Sequence, residues 1–172
     1  TPAARGRGVF STLELHNEQA AAAQGARWAL GFTNPMAGPI LVGKLGWEDV
    51  TSLRIWVRPK RPWRKDGAVR ETALASQSRH LPAHHIERDE PYLRWRYADS
   101  PRPYAQSGDA VVTHATWHGL SSAIVCEHGG GLEGALRHVD AQIAVAMVNP
   151  GEERRFLRHG FVPTPRTIRF IG

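Results

Sequence analysis

Apolar and polar positions fall into short blocks separated by glycine and proline, and the blocks change period along the chain. Leu13, Leu15 and the tract Ala20-Ala21-Ala22 belong to an alanine-rich helical run that Gly25 closes. Trp28 to Phe32 is a short apolar run and predicts a buried strand. Pro35, Gly38 and Pro39 then shape a turn, a short helix carries Ile40 to Leu45, and Gly46-Trp47 turns the chain again. From Val50 to Val57, Leu53, Ile55 and Val57 alternate with Ser52, Arg54 and Trp56, as in a half-buried strand that Pro59 stops. Periodicity is lost from Lys60 to about Arg88, a stretch rich in Pro, Arg, Ser and His. It predicts a linker with one helical turn around Thr72 to Ser78.

Regular patterning returns after Asp89. Tyr92 to Tyr97 alternates and predicts a strand, followed by a turn over Asp99 to Pro103. Ala110 to Trp117 and Ser121 to Glu127 predict a hairpin about His118-Gly119. Gly129-Gly130-Gly131 leads into a helix from Leu132 to Val139, and a strand follows from Ile143 to Val148. The chain closes with Asn149-Pro150, a helix from Glu152 to His159, Gly160-Phe161 and a strand from Arg166 to Ile171. Two segments therefore share one order: strand, Asn-Pro (Asn34, Asn149), short helix, Gly-aromatic (Gly46, Gly160), strand. Such an internal repeat predicts a duplicated α/β unit, α+β with a mixed sheet. The boundaries read as 1–59 for an incomplete first unit, 60–88 for the linker and 89–172 for the second unit.

Composition narrows this picture without redirecting it. A content of 41% hydrophobic and 22% charged residues in 172 residues is globular. The one cysteine, Cys126, excludes an intrachain disulfide and suits a reducing, cytoplasmic setting. No apolar run approaches the ~20 residues that span a bilayer, so no membrane partner is expected. The net charge of +6 invites a nucleic-acid partner. Its densest run, Arg58 to Lys65, is broken by Pro59 and Pro62 and reads better as a solvated linker. His80, His84 and His85 lack a cysteine or a placed third ligand, and Pro82 interrupts them, so no metal is expected.

The clearest chemistry lies at the start, in Arg5-Gly6-Arg7-Gly8-Val9-Phe10 before the first helix. Gly6 and Gly8 admit positive φ or close approach of a ligand. The first helical amides lack internal partners and sit at the positive end of the helix dipole, so the junction suits an anion such as phosphate. The order R-G-x-G turn, helix, strand, Asn34, short helix, Lys44-Leu45-Gly46-Trp47 resembles the GNAT acyltransferase superfamily over residues 1 to about 59. There, an R-x-x-G-x-G/A loop holds the pyrophosphate of an acyl-coenzyme A; Arg5 and Gly8 match it, and Phe10 departs from its small last residue.

The resemblance implies acetyl-CoA as co-substrate, held by Arg5, Gly6, Arg7, Gly8, Val9 and Phe10, with Asn34 beside the pantetheine arm. It further implies acyl transfer to an amine, small molecule or peptide, by a protein that in some cases forms homodimers, and a first unit whose opening strands are missing. The second unit has Glu127-His128-Gly129-Gly130-Gly131 where the loop would fall, with no arginine, and resembles a degenerate copy. The family's acid is often a tyrosine before the K-x-G-F element; Val42 and Phe156 stand there and donate no proton. Glu14, His16, Glu127 and Cys126 are considered for base or nucleophile, and none is assigned. A non-catalytic GNAT-like scaffold is the alternative function.

Overall fold

A computed structural model of the chain describes residues 7–60 and 89–172. Arg5, Gly6, the turn at Thr72 to Ser78 and the three linker histidines lie outside the described residues. Seven strands among those described follow the hydrogen-bonding order β1-β7-β2-β6-β5-β4-β3, with parallel and antiparallel pairs, so the class is mixed α+β. Two compact units are distinguished: the chain through Arg54 together with Pro165–Gly172, and Ile55–Thr164. Strands β2 (Asp49–Pro59) and β7 (Val162–Ile171) each contribute residues to both.

The first unit holds α1 (Val9–Ala23), β1 (Gly31–Thr33) and α2 (Gly38–Lys44). The last strand returns to it: Gly31 pairs with Ile171, Phe32 with Phe170 and Thr33 with Arg169, antiparallel. Arg169 Nε donates to Asp49 Oδ1 at 2.7 Å, and Glu48 and Gly172 exchange backbone hydrogen bonds of 2.6 and 3.0 Å. Its core is small, drawn from Leu41, Leu53 and Ile171. No residue of α1 is buried, so propensity and the backbone bonds that close its C-terminal end at Gln24 and Gly25 carry that helix rather than packing. The expected buried strand over Trp28 to Phe32 is corrected here. Only Gly31–Thr33 pairs, and Trp28 is 86% exposed.

The second unit is built on α3 (Glu90–Leu93), a π-helical turn (Arg94–Ala98), β3 (Tyr104–Ser107), β4 (Ala110–Trp117), β5 (Leu120–Glu127), α4 (Leu132–Arg137), β6 (Ile143–Val148) and α5 (Glu153–Arg158). The β4–β5 hairpin turns through His118 at φ 49° and Gly119 at φ 81°, the two left-handed residues a two-residue hairpin turn requires. Beyond β5 the chain crosses through α4 to β6, which pairs with β5 in parallel from Ser122↔Ile143 to Val125↔Ala146. Leu132, Ala135 and Leu136 of α4 are buried in one core with Val112, Ala123, Val125, Ala146, Phe156 and Phe161. Leu93 and Tyr97 form a second cluster with Val111, against which Tyr104 and Cys126 pack.

Two sequence expectations fail in this unit. Tyr92 to Tyr97 is helical rather than a strand. The Asp89 side chain accepts from Tyr92 N at 2.9 Å and caps the helix, and Pro91 sits in its first turn, where a missing amide costs nothing. Trp56 was placed on the polar face of β2, yet it is only 4% exposed. The buried positions on β2 are Leu53 and Trp56, three apart, so its facing changes between them.

Candidate functional site

Both units carry a glycine turn that opens a helix, and the two turns differ in what surrounds them. In the first unit the loop is shorter than expected, because Val9 and Phe10 already belong to the first turn of α1. Gly8 is the N-cap, at φ 72° and ψ 9°. Its carbonyl accepts from Thr12 N at 3.0 Å and from Thr12 Oγ1 at 3.2 Å, which fixes the first turn. Among the described residues no side chain caps the helix start, and its first turn contains no acidic residue. The leading amides therefore retain their donors and the positive end of the dipole. A Cβ on Gly8 would meet nothing within 4 Å among the described residues. Arg7 and Gly8 are exposed, and Val9 and Phe10 stay 46% and 43% exposed.

Asn34 follows β1 and folds the turn that leads to α2, whose N-cap is Ala37. Its Oδ1 accepts from Met36 N and Ala37 N, each at 2.9 Å, and its carbonyl accepts from Gly38 N at 3.0 Å. The oxygen is thus committed to the turn ahead of α2, and the Nδ2 hydrogens are what this side chain offers a ligand. Asn34 makes no hydrogen bond to the Gly8 turn among the described residues. The structure joins Arg7 to Phe10 in one exposed turn and sets Asn34 in a separate turn ahead of α2. On α1, Glu14 is half-buried and His16 is exposed.

In the second unit Gly131 is the N-cap of α4, at φ 92° and ψ 6°. This turn is filled by the protein itself. Asp109 N donates to Gly130 O at 2.9 Å, which seats the β3–β4 turn on the glycines. A Cβ on Gly131 would lie 2.6 Å from the Ser107 carbonyl carbon, and one on Gly108 would lie 2.5 Å from Gly130 O. Here the glycines serve backbone-to-backbone packing, and no room is left above the helix start for a diphosphate.

Beside this turn, at the carboxyl end of β5, lies a cluster the sequence did not reveal. Glu127 is 5% exposed and accepts from Tyr97 Oη at 2.7 Å. Burial, and next the hydrogen bond to Glu127, hold the Tyr97 phenol well above its ordinary range, so it stays a neutral donor. Burial likewise pushes the Cys126 thiol up to about 11, which removes it as a nucleophile near neutral pH. His128 Nε2 and Glu152 Oε2 are 2.9 Å apart, and Phe156 stands edge-on to the imidazole with centroids 5.1 Å apart. A helical spacing was the available signal: Leu93 and Tyr97 are four apart, and both are buried. Pairing of Tyr97 with Glu127, by contrast, spans thirty positions and has no local signature.

Among the described residues no group of three or more His, Cys, Asp or Glu side chains is arranged to hold a metal, and no helix is long and apolar enough to cross a membrane. No protein-family model matches this chain. No curated protein matches it either. A solved structure of similar fold is a putative acetyltransferase from Thermoplasma acidophilum, 15% identical over 99% of this chain, with a TM-score of 0.48. The chain spans 64% of the length of that protein.

Proposed function

We propose that the protein is an acyl-CoA-dependent acyltransferase of the GNAT type, acting on an amine, and that its first unit holds the coenzyme. The observation that carries this reading is the contrast between the two glycine turns. The turn at Gly8 is open, uncapped and free of acidic residues in its first turn, as a bound diphosphate requires. The turn at Gly131 is closed by the Ser107–Gly108 backbone. Arg5 and Arg7 stand in sequence beside the open turn and supply positive charge for capture. Residues 89–172 are a supporting copy of residues 1–59, and the shared strand, Asn-Pro, helix, Gly-aromatic order reflects duplication.

In acyl transfer to an amine, the amine nitrogen attacks the thioester carbonyl, loses a proton, and the thiolate leaves as the coenzyme thiol. The test is release of free coenzyme thiol from acetyl-CoA in the presence of a panel of primary amines, with acetylated product identified by mass spectrometry. Amine-dependent release that Gly8→Asp abolishes supports the reading. Acetyl-CoA binding without release for any amine favours the scaffold alternative, to which the absence of a tyrosine at Val42 and Phe156 also points.

A further inference from the structure

We propose that the first unit carries an interface for a second copy of this chain, formed by the apolar face of its sheet at Leu30, Phe32, Phe170 and Val50. The helices of the unit lie on the opposite face, where Thr33 and Ile171 are buried. A Cβ on Gly38 of α2 would lie 3.3 Å from Thr33 Oγ1. One on Gly31 would lie 3.7 Å from the Trp47 ring, whose Nε1 donates to Glu18 of α1 at 2.6 Å. Side chains alternate along a strand, so Leu30 and Phe32 point away from both helices. Phe32 stands opposite Phe170 with ring centroids 5.1 Å apart. A Cβ on Gly172 would lie 2.8 Å from Leu30 Cδ2 and 3.6 Å from Val50 Cγ2. β1, β7 and β2 thus build one apolar face from residues distant in sequence.

The face is exposed: Leu30, Phe32 and Val50 are 52%, 51% and 56% exposed, and Trp28, two residues before Leu30, adjoins them at 86%. From Trp28 to Gly43 the chain has no charged residue, so β1 lacks the charge that ordinarily guards an exposed strand. Taking ~200 Å² for a fully exposed large side chain, these four expose roughly 500 Å² per copy and about 1,000 Å² per pair, about the least area a specific interface buries. Charge selects a second copy as the occupant. The exposed charges flanking the patch in sequence are Arg27 and Glu48, one of each sign, and Asp49 is matched by Arg169, whose Nε donates to its Oδ1 at 2.7 Å. In a two-fold contact each residue off the axis meets a different residue of the partner, so a rim holding both signs matches itself. A nucleic acid or an acidic protein surface finds no excess of positive charge there. The contact is sheet on sheet, about 10 Å apart, with the side chains of the two inner faces interdigitating.

Sedimentation velocity of the whole chain, without acyl-CoA, tests this independently of the proposed activity. The mass is expected to rise from one copy toward two between about 1 and 200 μM, the range for a contact of this size. Phe32→Lys and Val50→Lys, each at an exposed side chain of the face, are expected to weaken association at least tenfold, because each dimer then buries two ammonium groups. Trp95→Lys, at an exposed aromatic of the second unit, is expected to leave association unchanged. Hydroxyl-radical footprinting of the wild type reads the same surface without a variant. Labelling of Trp28 and Phe32 should fall across that concentration range while labelling of Trp95 holds. A wild type that remains one copy at the highest concentration overturns the proposal. So does a dimer that both lysine variants leave intact, or one whose labelling falls at Trp95 and not at Phe32.

Discussion

Gly131→Ala, set beside Gly8→Ala, separates a glycine kept for packing from one with no described atom packed against it. At φ 92° any L side chain is strained, by about 1–2 kcal/mol. The added methyl also overlaps the Ser107 carbonyl, which is backbone and moves only with the β3–β4 turn. Overpacking of that kind costs a further ~1–3 kcal/mol, for a total of about 2–5 kcal/mol. Gly8→Ala, at φ 72° with nothing within 4 Å, carries the strain alone, about 1–2 kcal/mol. The assay is amide hydrogen exchange of β4, β5 and β6 as urea is raised, which reports the second unit directly. Gly131→Ala should lower the protection of those strands by the larger figure, and Gly8→Ala should leave it unchanged. Were Gly131→Ala to lie within about 0.5 kcal/mol of wild type, the closed-turn description would be wrong.

Tyr97→Phe removes the donor to a buried carboxylate and should cost about 1–3 kcal/mol in urea unfolding; Tyr97→Phe with Glu127→Leu should recover part of the loss. Glu133 gives an acid-limb prediction. Partial burial raises its pKa, but the Arg58 hydrogen bond and charge, then His159, outweigh this and leave it below the ordinary value. A folded pKa below the unfolded one contributes stability above the unfolded value, lost as pH falls through the folded one. Glu133→Gln should therefore flatten the stability profile below about pH 4.3 and leave its shape near neutrality unaltered. Cys126 should resist iodoacetamide at pH 8 in the native protein and react on unfolding, as mass spectrometry would show.

The parts legible in the sequence are those fixed by local chemistry. His118-Gly119 named its hairpin because two left-handed residues make that turn and few sequences supply them. Ile143–Val148 was readable as a continuous apolar run bounded by turn residues. Tyr92 to Tyr97 misled because alternation over six residues also fits a helix whose i, i+4 pair is Leu93 and Tyr97. The Asp89 cap was the signal that decides it. Trp56 misled because a strand that changes facing breaks the period-two rule from within. β3 is four residues long and offers too little pattern to read. At the candidate site, sequence showed two glycine turns before helices and told them apart by the arginine missing from the second; the fold adds what occupies the second. What fills the second turn is Ser107–Gly108, more than twenty positions earlier.

Calorimetric titration of acetyl-CoA into the wild type, Gly8→Asp and Glu127→Gln tests the placement of the coenzyme most directly. Gly8→Asp sets a carboxylate at the open helix start, where it competes with the pyrophosphate for the same amides. Glu127→Gln keeps the buried hydrogen-bond acceptor of the second unit while removing its charge. The account predicts binding to the wild type, at least tenfold weaker binding to Gly8→Asp and unchanged binding to Glu127→Gln. Equal affinity of wild type and Gly8→Asp, with altered affinity in Glu127→Gln, would put the coenzyme in the second unit and contradict it.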